Sequence, residues 1–274
     1  MLPEERRRQI LSLLEDSEVL RPADLAAQLD VSAETIRRDL VMLEREGDIR
    51  RVFGGAARAR DLSRSAEPGR ADRECIQQEA KGEIAAVVAT LVGDSDTIFM
   101  DVGTTVLAAV QSLPQSFHGR VVTNNISAVV ALAGRSDVNL HLVGGRIRHD
   151  ELTCYGPDAE EQVSRFFADK AFLGSGGVQA TLGLTDYHLE EIAVRHRMID
   201  NAAEVYVLAD ASKLGHVALR KVCGWERITA LITDSKADAD IVRELRDAGL
   251  TVLQPSMDPM NAPGAMAPDE EVRR

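Results

Sequence analysis

The sequence predicts an α/β protein with two domains: a small N-terminal helical domain with a strand hairpin, and a larger domain built on a mostly parallel sheet. Two different periodicities support this prediction. Residues 1–57 form short helices with one apolar face, whereas residues 79–254 alternate apolar runs typical of buried strands with helical stretches. Residues 58–78 are rich in charged and small residues and contain Pro68-Gly69, which is typical of a linker. The 274 residues are long for one domain and sufficient for these two.

Two helices are predicted before residue 30. Pro3 followed by two glutamates is a helix-start pattern, and an apolar stripe follows it. Residues 22–29 predict a second short helix, which ends at a tight Asp30-Val31 connection. The apolar residues of these helices, which we expect to share one core, are Ile10, Leu13, Leu14, Leu25, Ala26 and Leu29.

A third helix is predicted from Ser32, a preferred N-cap residue, to a stop at Gly47. Its apolar residues recur at i, i+4 and i+7, and they are Ile36, Leu40 and Leu43. The opposite face is polar and points away from the core. A helix, a short turn and a capped second helix follow each other in a helix-turn-helix, whose second helix enters the major groove. The residues of this helix predicted to contact DNA are Ser32, Thr35, Arg37 and Arg38.

The next stretch is strand-like and turns at Gly54-Gly55, which fits the wing of a winged helix. Four arginines and no acidic residue occur between positions 49 and 60. Phosphate contacts supply most of the sequence-independent affinity for DNA, so we expect Arg50 and Arg51 to contact the DNA backbone. Paired arginines alone usually mark a solvated helix face. The cap, the helix order and the wing together favour DNA binding.

Charge is distributed unevenly along the chain. Residues 1–60 carry 11 arginines against 12 acidic residues, so the rest of the chain holds −11 of the net −12. A body this acidic repels DNA and leaves binding to the N-terminal domain. Cys75, Cys154 and Cys223 lack CxxC spacing and fit reduced intracellular thiols. With no signal peptide and no apolar stretch of about 18 residues, we expect a cytoplasmic location and no membrane partner.

Seven apolar runs define the second domain. Short buried strands that alternate with helices form βαβ units, so these runs predict a mostly parallel sheet. Ligands of such sheets bind beyond the carboxyl ends of the strands. The predicted strands are residues 97–100, 120–123, 138–143, 170–173, 205–209, 228–233 and 250–253.

Polar and glycine residues collect where these strands end. After the first strand, Gly103 lets the backbone approach a ligand, and the helix-start N–H groups and hydroxyls of Thr104 and Thr105 suit a phosphate. Such a turn alone is more often a plain helix cap. Together the strand ends predict a wet pocket for a polyhydroxylated anion. Its other candidate residues are Asp101, Thr123, Asn124, Asn125, Gly144, Gly145, Gly174-Ser175-Gly176-Gly177, Asp210 and Lys213.

Several other ligands are disfavoured. The full GxGxxG and GxxxxGK[ST] patterns are absent from the sequence, which argues against dinucleotides and nucleoside triphosphates. The six histidines have no metal-ligand spacing, so we expect neither a metal nor a cofactor. Lys213 is one of five lysines in a chain with 27 arginines, which favours a specific role over that of a solvated surface lysine.

These motifs closely resemble the DeoR family of bacterial transcriptional regulators over the chain up to about Leu253. The matching segments are VSAETIRRDLVMLEREG at 31–47, FGGA at 53–56, DVGTT at 101–105, TNN at 123–125, VGG at 143–145, GLTDYHLEEIAVRHRMI at 183–199 and LADASKLG at 208–215. The resemblance implies a repressor whose second domain has the fold of sugar-phosphate isomerases and senses a phosphorylated sugar or related metabolite. The site residues that it implies are Asp101, Gly103, Thr104 and Thr105 at the phosphate end and Asn124, Gly145, Glu190, Asp210 and Lys213 around the rest.

The sequence departs from the family pattern at two places. Phe53 stands where the family usually has histidine before Gly54-Gly55, which puts the wing contact in doubt. Residues 255–274 are an additional tail with four prolines and little apolar periodicity, for which we expect disorder.

An enzymatic alternative is open at this point. Asp101, Glu190, Asp210 and Lys213 could supply the acid and base for an aldose-ketose isomerisation. A metabolic enzyme does not need a DNA-binding module, and we therefore expect a regulator without enzymatic activity. We expect a homo-oligomer, a dimer or tetramer, that binds double-stranded operator DNA. Activation in place of repression also stays open, because it depends on where the operator lies.

Overall fold

The computed structural model describes residues 3–14, 20–45, 49–52, 55–58, 67 and 69–255. Its N-terminal part contains α1 (Pro3–Leu13), α2 (Pro22–Gln28) and α3 (Ala33–Arg45), followed by an antiparallel hairpin of β1 (Ile49–Val52) and β2 (Gly55–Arg58). The predicted helix order and two-stranded wing are confirmed. Gly47, Phe53 and Gly54, on which the predicted helix stop and wing turn fall, lie outside the described residues, as do residues 256–274 of the predicted tail.

One apolar core joins the three helices to the wing. Leu20, before α2, pairs with Ala56 of β2 through backbone hydrogen bonds of 2.9 and 2.8 Å. Arg6 of α1 reaches Asp39 of α3 with an Nε–Oδ2 distance of 2.5 Å, which ties the first helix to the third. The buried apolar residues are Ile10, Leu14, Leu25, Ile36, Leu40, Leu43, Ile49 and Ala56, with Leu13, Ala26 and Leu29 packed against them.

The second part alternates strands and helices along the chain. Its first elements are α4 (Arg70–Cys75), α5 (Gln78–Leu91), β3 (Thr97–Met100), α6 (Thr104–Gln111), β4 (Arg120–Thr123), α7 (Ile126–Leu132), β5 (Asn139–Leu142), β6 (Arg146–Arg148), β7 (Thr153–Tyr155) and α8 (Pro157–Ser164). They are followed by β8 (Ala168–Leu173), β9 (Gly177–Gln179), β10 (Gly183–Asp186), α9 (Leu189–Asp200), β11 (Ala202–Leu208), β12 (Arg220–Cys223), β13 (Ala230–Ile232), α10 (Ala239–Asp247) and β14 (Val252–Leu253).

The main sheet has seven strands in the order β14-β13-β11-β8-β3-β4-β5, and every neighbouring pair is parallel. All seven predicted strands lie in this sheet, and the predicted α/β fold is confirmed. The chain runs outward from β3 to β5 on one side and from β8 to β14 on the other. The strand order therefore reverses between β3 and β8, where doubly wound sheets leave a crevice.

Helices cover both faces of this sheet. On one face α5, α6 and α7 pack over residues such as Ile98 and Val121. On the other face α8, α9 and α10 pack over Phe99 and Val122, the neighbouring residues of the same two strands. The later residues of β3, β4, β8 and β11 are buried and apolar, which is why the sequence reveals these strands, whereas β5 at the edge of the sheet is partly exposed. Within the described ranges, no helix has the length and apolar character needed to cross a membrane.

Short elements were missed by the sequence analysis. β6 and β7 form a hairpin, and β9, β10 and β12 form a separate antiparallel sheet. Each of these strands has three or four residues of mixed polarity, too short for a period to emerge. The predicted linker at 58–78 contains α4, in which Arg70 Nε donates to Glu74 Oε1 one turn later at 2.7 Å.

A buried ion bridge connects the three-stranded sheet of β9, β10 and β12 to the main sheet. Arg195 of α9 is 1% exposed, and its Nε donates to Asp101 Oδ2, just after β3, at 2.6 Å. The same guanidinium also donates to Asp186 at the end of β10. Burial raises the pKa of Asp101 despite the nearby guanidinium. For Asp186 burial acts in the same direction, but Arg195 outweighs it and the net pKa is lowered.

We predict that Arg195→Met lowers the free energy of unfolding of this domain by about 3–5 kcal/mol, because it leaves two carboxylates buried without their cation. The loss should shrink as the pH falls, because protonation removes the buried charges, and grow as the pH rises. Urea denaturation followed by the fluorescence of Trp225, the only tryptophan, reports on this domain alone.

Arg197→Met is the matched control for this experiment. Arg197 lies on the same helix, its side chain is 50% exposed, and its distance to Glu160 is 3.6 Å. We expect a change within about 0.5 kcal/mol. Equal stability of the two variants would contradict the assigned role of the buried bridge.

Candidate functional site

The candidate DNA-contacting side chains of α3 lie at its exposed N-terminal half. The side chains of Arg37 and Arg38 are 65% and 81% exposed, and each lies 3.6 Å from Glu34. Ion pairs this long and this exposed are weak, so phosphate can replace Glu34 at little cost. The Thr35 N–H donates to Ser32 Oγ at 3.1 Å, and their hydroxyls are 2.8 Å apart, so both side chains also form the helix cap.

The two predicted wing arginines lie on β1. Arg50 stands opposite Ala57 of β2, and Arg51 stands opposite Ala56.

A cleft opens at the reversal of strand order between β3 and β8. Its floor is formed by the chain after β3 and β8, and one wall by the short turn after β11. Residues before and at the start of α5 form the opposite wall. The lining residues are Glu67, Arg73, Ile76, Gln77, Lys81, Val102, Gly103, Thr104, Thr105, Glu151, Gly174, Ser175, Asp186, Glu191, Arg195, Asp210, Ser212 and Lys213.

The floor presents backbone groups because two glycines allow close approach. Gly103 is the N-cap residue of α6, and its φ of +112° is one that residues other than glycine rarely adopt. It has no side chain that could accept hydrogen bonds from the first N–H groups of the helix. A Cβ on Gly174 would lie 2.5 Å from the carbonyl oxygen of Val102. The first N–H groups of α6 therefore face the cleft beside the half-buried Thr104 and Thr105, an arrangement that favours an anion.

Two lysines bring positive charge to this cleft. Lys213 ends the turn after β11, which Asp210 caps by accepting from the Ser212 N–H at 3.0 Å. Lys81, in the first turns of α5, is 6% exposed, and its Nζ donates to the carbonyl oxygen of Ile76 at 2.7 Å. Burial lowers the pKa of Lys81; the negative charge of Asp210 opposes this effect, and the positive charges of Arg73 and Lys213 add to it.

Glu191 of α9 is a buried acid that lines the cleft. It is 5% exposed, and its Oε1 accepts from Thr153 Oγ1 at 2.9 Å and from Arg148 Nη1 at 3.2 Å. Burial raises its pKa to about 7, even though Arg148 and Arg195 favour the charged form. At neutral pH this carboxyl can therefore accept or donate a hydrogen bond to a ligand hydroxyl.

The structure brings together part of the predicted effector set. Gly103, Thr104, Thr105, Asp210 and Lys213 line the cleft. Asn125, which caps α7, lines a small adjoining recess together with Gly103 and Thr104.

The other predicted residues lie behind the cleft or away from it. Asp101, Thr123, Asn124 and Gly176 are buried, and none of them is among the lining residues. Asp101 holds the ion bridge, Thr123 Oγ1 accepts from the Asn125 N–H at 3.0 Å, and Asn124 donates to the Cys154 carbonyl at 3.1 Å.

Gly144, Gly145 and Glu190 also lie outside the cleft. Gly144 donates its N–H to Gln162 Oε1 at 3.0 Å, and Gly145 lines a different recess with residues of α8. A Cβ on Gly145 would lie 2.5 Å from the Tyr155 carbonyl oxygen, so close backbone approach accounts for this glycine. Glu190 is exposed and outside the cleft, whereas its neighbour Glu191 lines it.

Sequence analysis also missed several residues that line the cleft. Glu191 and Arg195 lie on the buried face of α9, where charged residues break the apolar pattern. Lys81 lies in a helix that carries no motif, but it is one of five lysines in the chain. The rarity of lysine in this chain, which favours a specific role for Lys213, also indicates one for Lys81.

Comparison with known proteins agrees with this architecture. A family model described as the DeoR C terminal sensor domain matches residues 76–235, and one described as the DeoR-like helix-turn-helix domain matches residues 6–62. The chain belongs to the DeoR family. The HTH-type transcriptional regulator GlpR of Haloferax volcanii is 34% identical to it, over 92% of this chain and 98% of that protein. This DeoR-family chain is a DNA-binding transcriptional regulator, as the resemblance implied.

Two further similarities were found. The Glycerol-3-phosphate regulon repressor of Escherichia coli strain K12 is 29% identical, over 89% of this chain and 95% of that protein. Among solved structures, ribose 5-phosphate isomerase A from Methanocaldococcus jannaschii is similar over 50% of this chain and 54% of that chain, with 18% identity and a TM-score of 0.38.

We predict that Glu191 makes the stability of this domain depend on pH. Its folded pKa of about 7 exceeds the ordinary value of 4.5, so its contribution is complete below about pH 4.5 and is lost as the pH rises through 7. Glu191→Gln removes this loss. The free energy of unfolding of the variant relative to wild type should therefore increase by about 1–3 kcal/mol from pH 5 to pH 8.

Urea denaturation followed by Trp225 fluorescence measures this difference at each pH. Glu190→Gln, the same change at the exposed neighbour, is the matched control, and the increase with pH should be larger for Glu191→Gln than for this variant. A difference that is constant with pH for Glu191→Gln would show that the buried carboxyl does not titrate in this range.

Proposed function

We propose that this DeoR-family regulator represses a carbohydrate-metabolism operon and is released from its operator by a phosphorylated sugar or related metabolite bound in the cleft. One observation carries the proposal. The N-terminus of α6 and the lysines at positions 81 and 213 line the same cleft, at the point where the strand order reverses. Helix N–H groups, hydroxyls and ammonium groups together suit a dianion.

The roles of the lining residues follow from their chemistry. The phosphate binds at Gly103-Thr104-Thr105, with Lys213 as a countercharge. Asp210 and Glu191 accept hydrogen bonds from sugar hydroxyls, and Glu191 takes the role that the sequence alone suggested for Glu190. The similarity to the glycerol-3-phosphate regulon repressor of E. coli also supports a phosphorylated effector.

We assign operator contacts to the winged helix. Arg37 and Arg38 contact the major groove or its phosphates, and Arg50 and Arg51 contact the backbone from the wing. Ser32 and Thr35 lie at the end of α3 that enters the groove. A single small module seldom gives sufficient affinity, so we propose that a homo-oligomer binds half-sites about one helical turn apart, or a multiple of it.

We also propose the domain limits and the location that the sequence leads us to expect. Residues 1–57 bind DNA, residues 58–78 connect the domains, residues 79–254 sense the effector, and residues 255–274 form a tail. The protein acts in the cytoplasm and does not catalyse a reaction. An assay of aldose-ketose interconversion with the full-length protein distinguishes it from an isomerase: we expect no turnover above the buffer rate.

We predict that Arg38→Ala weakens binding to DNA selected by the wild-type protein from a random pool. If Arg38 contacts a base, the binding free energy should weaken by about 1–3 kcal/mol. If it contacts a phosphate, the slope of log affinity against log salt concentration should fall by about 1 in magnitude. Fluorescence anisotropy at several salt concentrations measures both. Arg243→Ala, which removes an arginine with a 67% exposed side chain from α10, is the control and should bind normally. Normal affinity and normal salt dependence of Arg38→Ala would rule out the assigned contact.

We predict that Lys213→Ala gives a repressor that binds DNA but is not released by effector. The substitution removes the countercharge of the phosphate and leaves the winged helix unchanged. Sugar phosphates are titrated against the protein-DNA complex, with the corresponding unphosphorylated sugars in parallel. Lys236→Ala, at an exposed lysine paired with Glu79, should respond like wild type. Release of Lys213→Ala at wild-type concentrations, or equal release by the unphosphorylated sugar, would show that this cleft is not the sensor.

A further inference from the structure

Residues 67 and 69–77, which we call the roof segment, line one side of the cleft. Glu67, Arg73, Ile76 and Gln77 from this segment are lining residues. The chain reaches the second domain from the winged helix through this segment. Any ligand-dependent change in the roof segment is therefore a change in the connection to the DNA-binding domain.

Ion pairs hold the roof segment to the β6-β7 hairpin. Arg73 pairs with Glu67 at 3.0 Å and also with Glu151, and Glu67 pairs with Arg148 at 3.3 Å. The side chains of these residues are 7–17% exposed. The positive charge of Arg73 is thus already matched by protein carboxylates.

Lys81 holds the same segment in a different way. Its Nζ donates to the main-chain carbonyl oxygens of Arg73 and Ile76. Among the described residues, no carboxylate lies within 4.0 Å of this ammonium. This 6% exposed cation hydrogen-bonds to neutral carbonyls, and the more distant charge of Asp210 offsets only part of its desolvation cost, so an anion in direct contact would stabilise it further.

The donor count of lysine leaves room for a ligand. An ammonium has three N–H donors, and the two carbonyls use two of them. Lys81 lines the cleft together with Thr104, Thr105 and Lys213. A ligand oxygen can therefore take the third donor without displacing the roof segment.

We propose that Lys81 is an anion-binding residue shared between the ligand and the roof segment, so that an anion in the cleft strengthens the attachment of the segment that leads to the DNA-binding domain. This inference rests on the proposed function, because it assumes an anionic effector in this cleft. If the ligand binds more tightly when the roof segment is attached than when it is detached, ligand binding must shift the equilibrium towards the attached arrangement by the same factor. Lys81 then makes the position of the roof segment depend on ligand occupancy.

Two variants separate ligand binding from a purely structural role. Lys81→Gln replaces the ammonium by a neutral amide whose two N–H donors match the two roof carbonyls. Lys81→Ala removes both the charge and the donors. Lys236→Ala is the control for loss of an exposed lysine.

Hydrogen-deuterium exchange of peptides that cover residues 69–77 is measured in the full-length protein, with and without inorganic phosphate, and with a hexose phosphate beside the matching hexose. Thermal shift titrations give the affinities.

In wild type and Lys236→Ala we expect the phosphorylated probe to slow exchange in this segment. In both Lys81 variants we expect affinity to fall about tenfold or more and the slowing to disappear. Without ligand, Lys81→Ala should exchange faster than Lys81→Gln.

Failure of this inference is distinguishable from failure of the proposed function. If a phosphorylated probe binds wild type but leaves exchange at 69–77 unchanged, the shared role of Lys81 is wrong and the cleft remains the sensor. The same holds if Lys81→Gln binds the probe within about twofold of wild type. If neither phosphate nor any phosphorylated sugar binds wild type, the proposed function is wrong, and this inference with it. Unchanged exchange in the wild-type protein overturns the inference even if a variant fails to fold, and slowed exchange supports it when either Lys81 variant abolishes the slowing.

Discussion

The bridge from Arg195 to Asp101 and Asp186 is the interaction on which the cleft depends. It joins the chain after β3, the end of β10 and the middle of α9, three elements that no backbone ladder connects. Asp101 also accepts from the Gly174 N–H at 3.1 Å, so the same carboxylate aligns the chain after β8. One buried guanidinium thereby fixes both halves of the floor. It also positions Glu191, which lies one turn earlier on α9.

The cleft divides its chemistry between the sheet and the elements around it. The floor contributes groups with no net charge, namely the first N–H groups of α6, two threonine hydroxyls and Ser175. Positive charge comes from Lys213 in the turn after β11 and from Lys81 of α5, whose ammonium also holds the roof segment. A ligand anion therefore interacts with a rigid floor and with the part of the chain that leads to the winged helix. In this arrangement a metabolite can influence DNA binding without contacting the DNA-binding domain.

Strong local patterns made much of the fold predictable from sequence. The central strands of the main sheet are recognisable because their later residues are buried and apolar, whereas the edge strand β5 is partly exposed. The winged helix follows from spacing, a cap and a glycine turn. The short polar strands β6, β7, β9, β10 and β12 had no such pattern. At the site, the glycine-threonine turn and Lys213 were identified by motif. The sequence suggested Glu190 in place of its neighbour Glu191, because the motif does not show which of the two adjacent residues faces the cleft. Lys81 was not identified, because it bonds to main-chain carbonyl oxygens, which any residue type supplies, and so leaves no sequence motif.

The central claim is that the cleft and the winged helix are thermodynamically linked. The most direct test measures effector affinity for the free protein and for the protein saturated with its selected DNA, and DNA affinity with and without saturating effector. Linkage requires both affinities to fall by the same factor, typically about 5 to 150-fold. Effector affinity that is the same with and without DNA, for a ligand that binds in this cleft, would contradict the account.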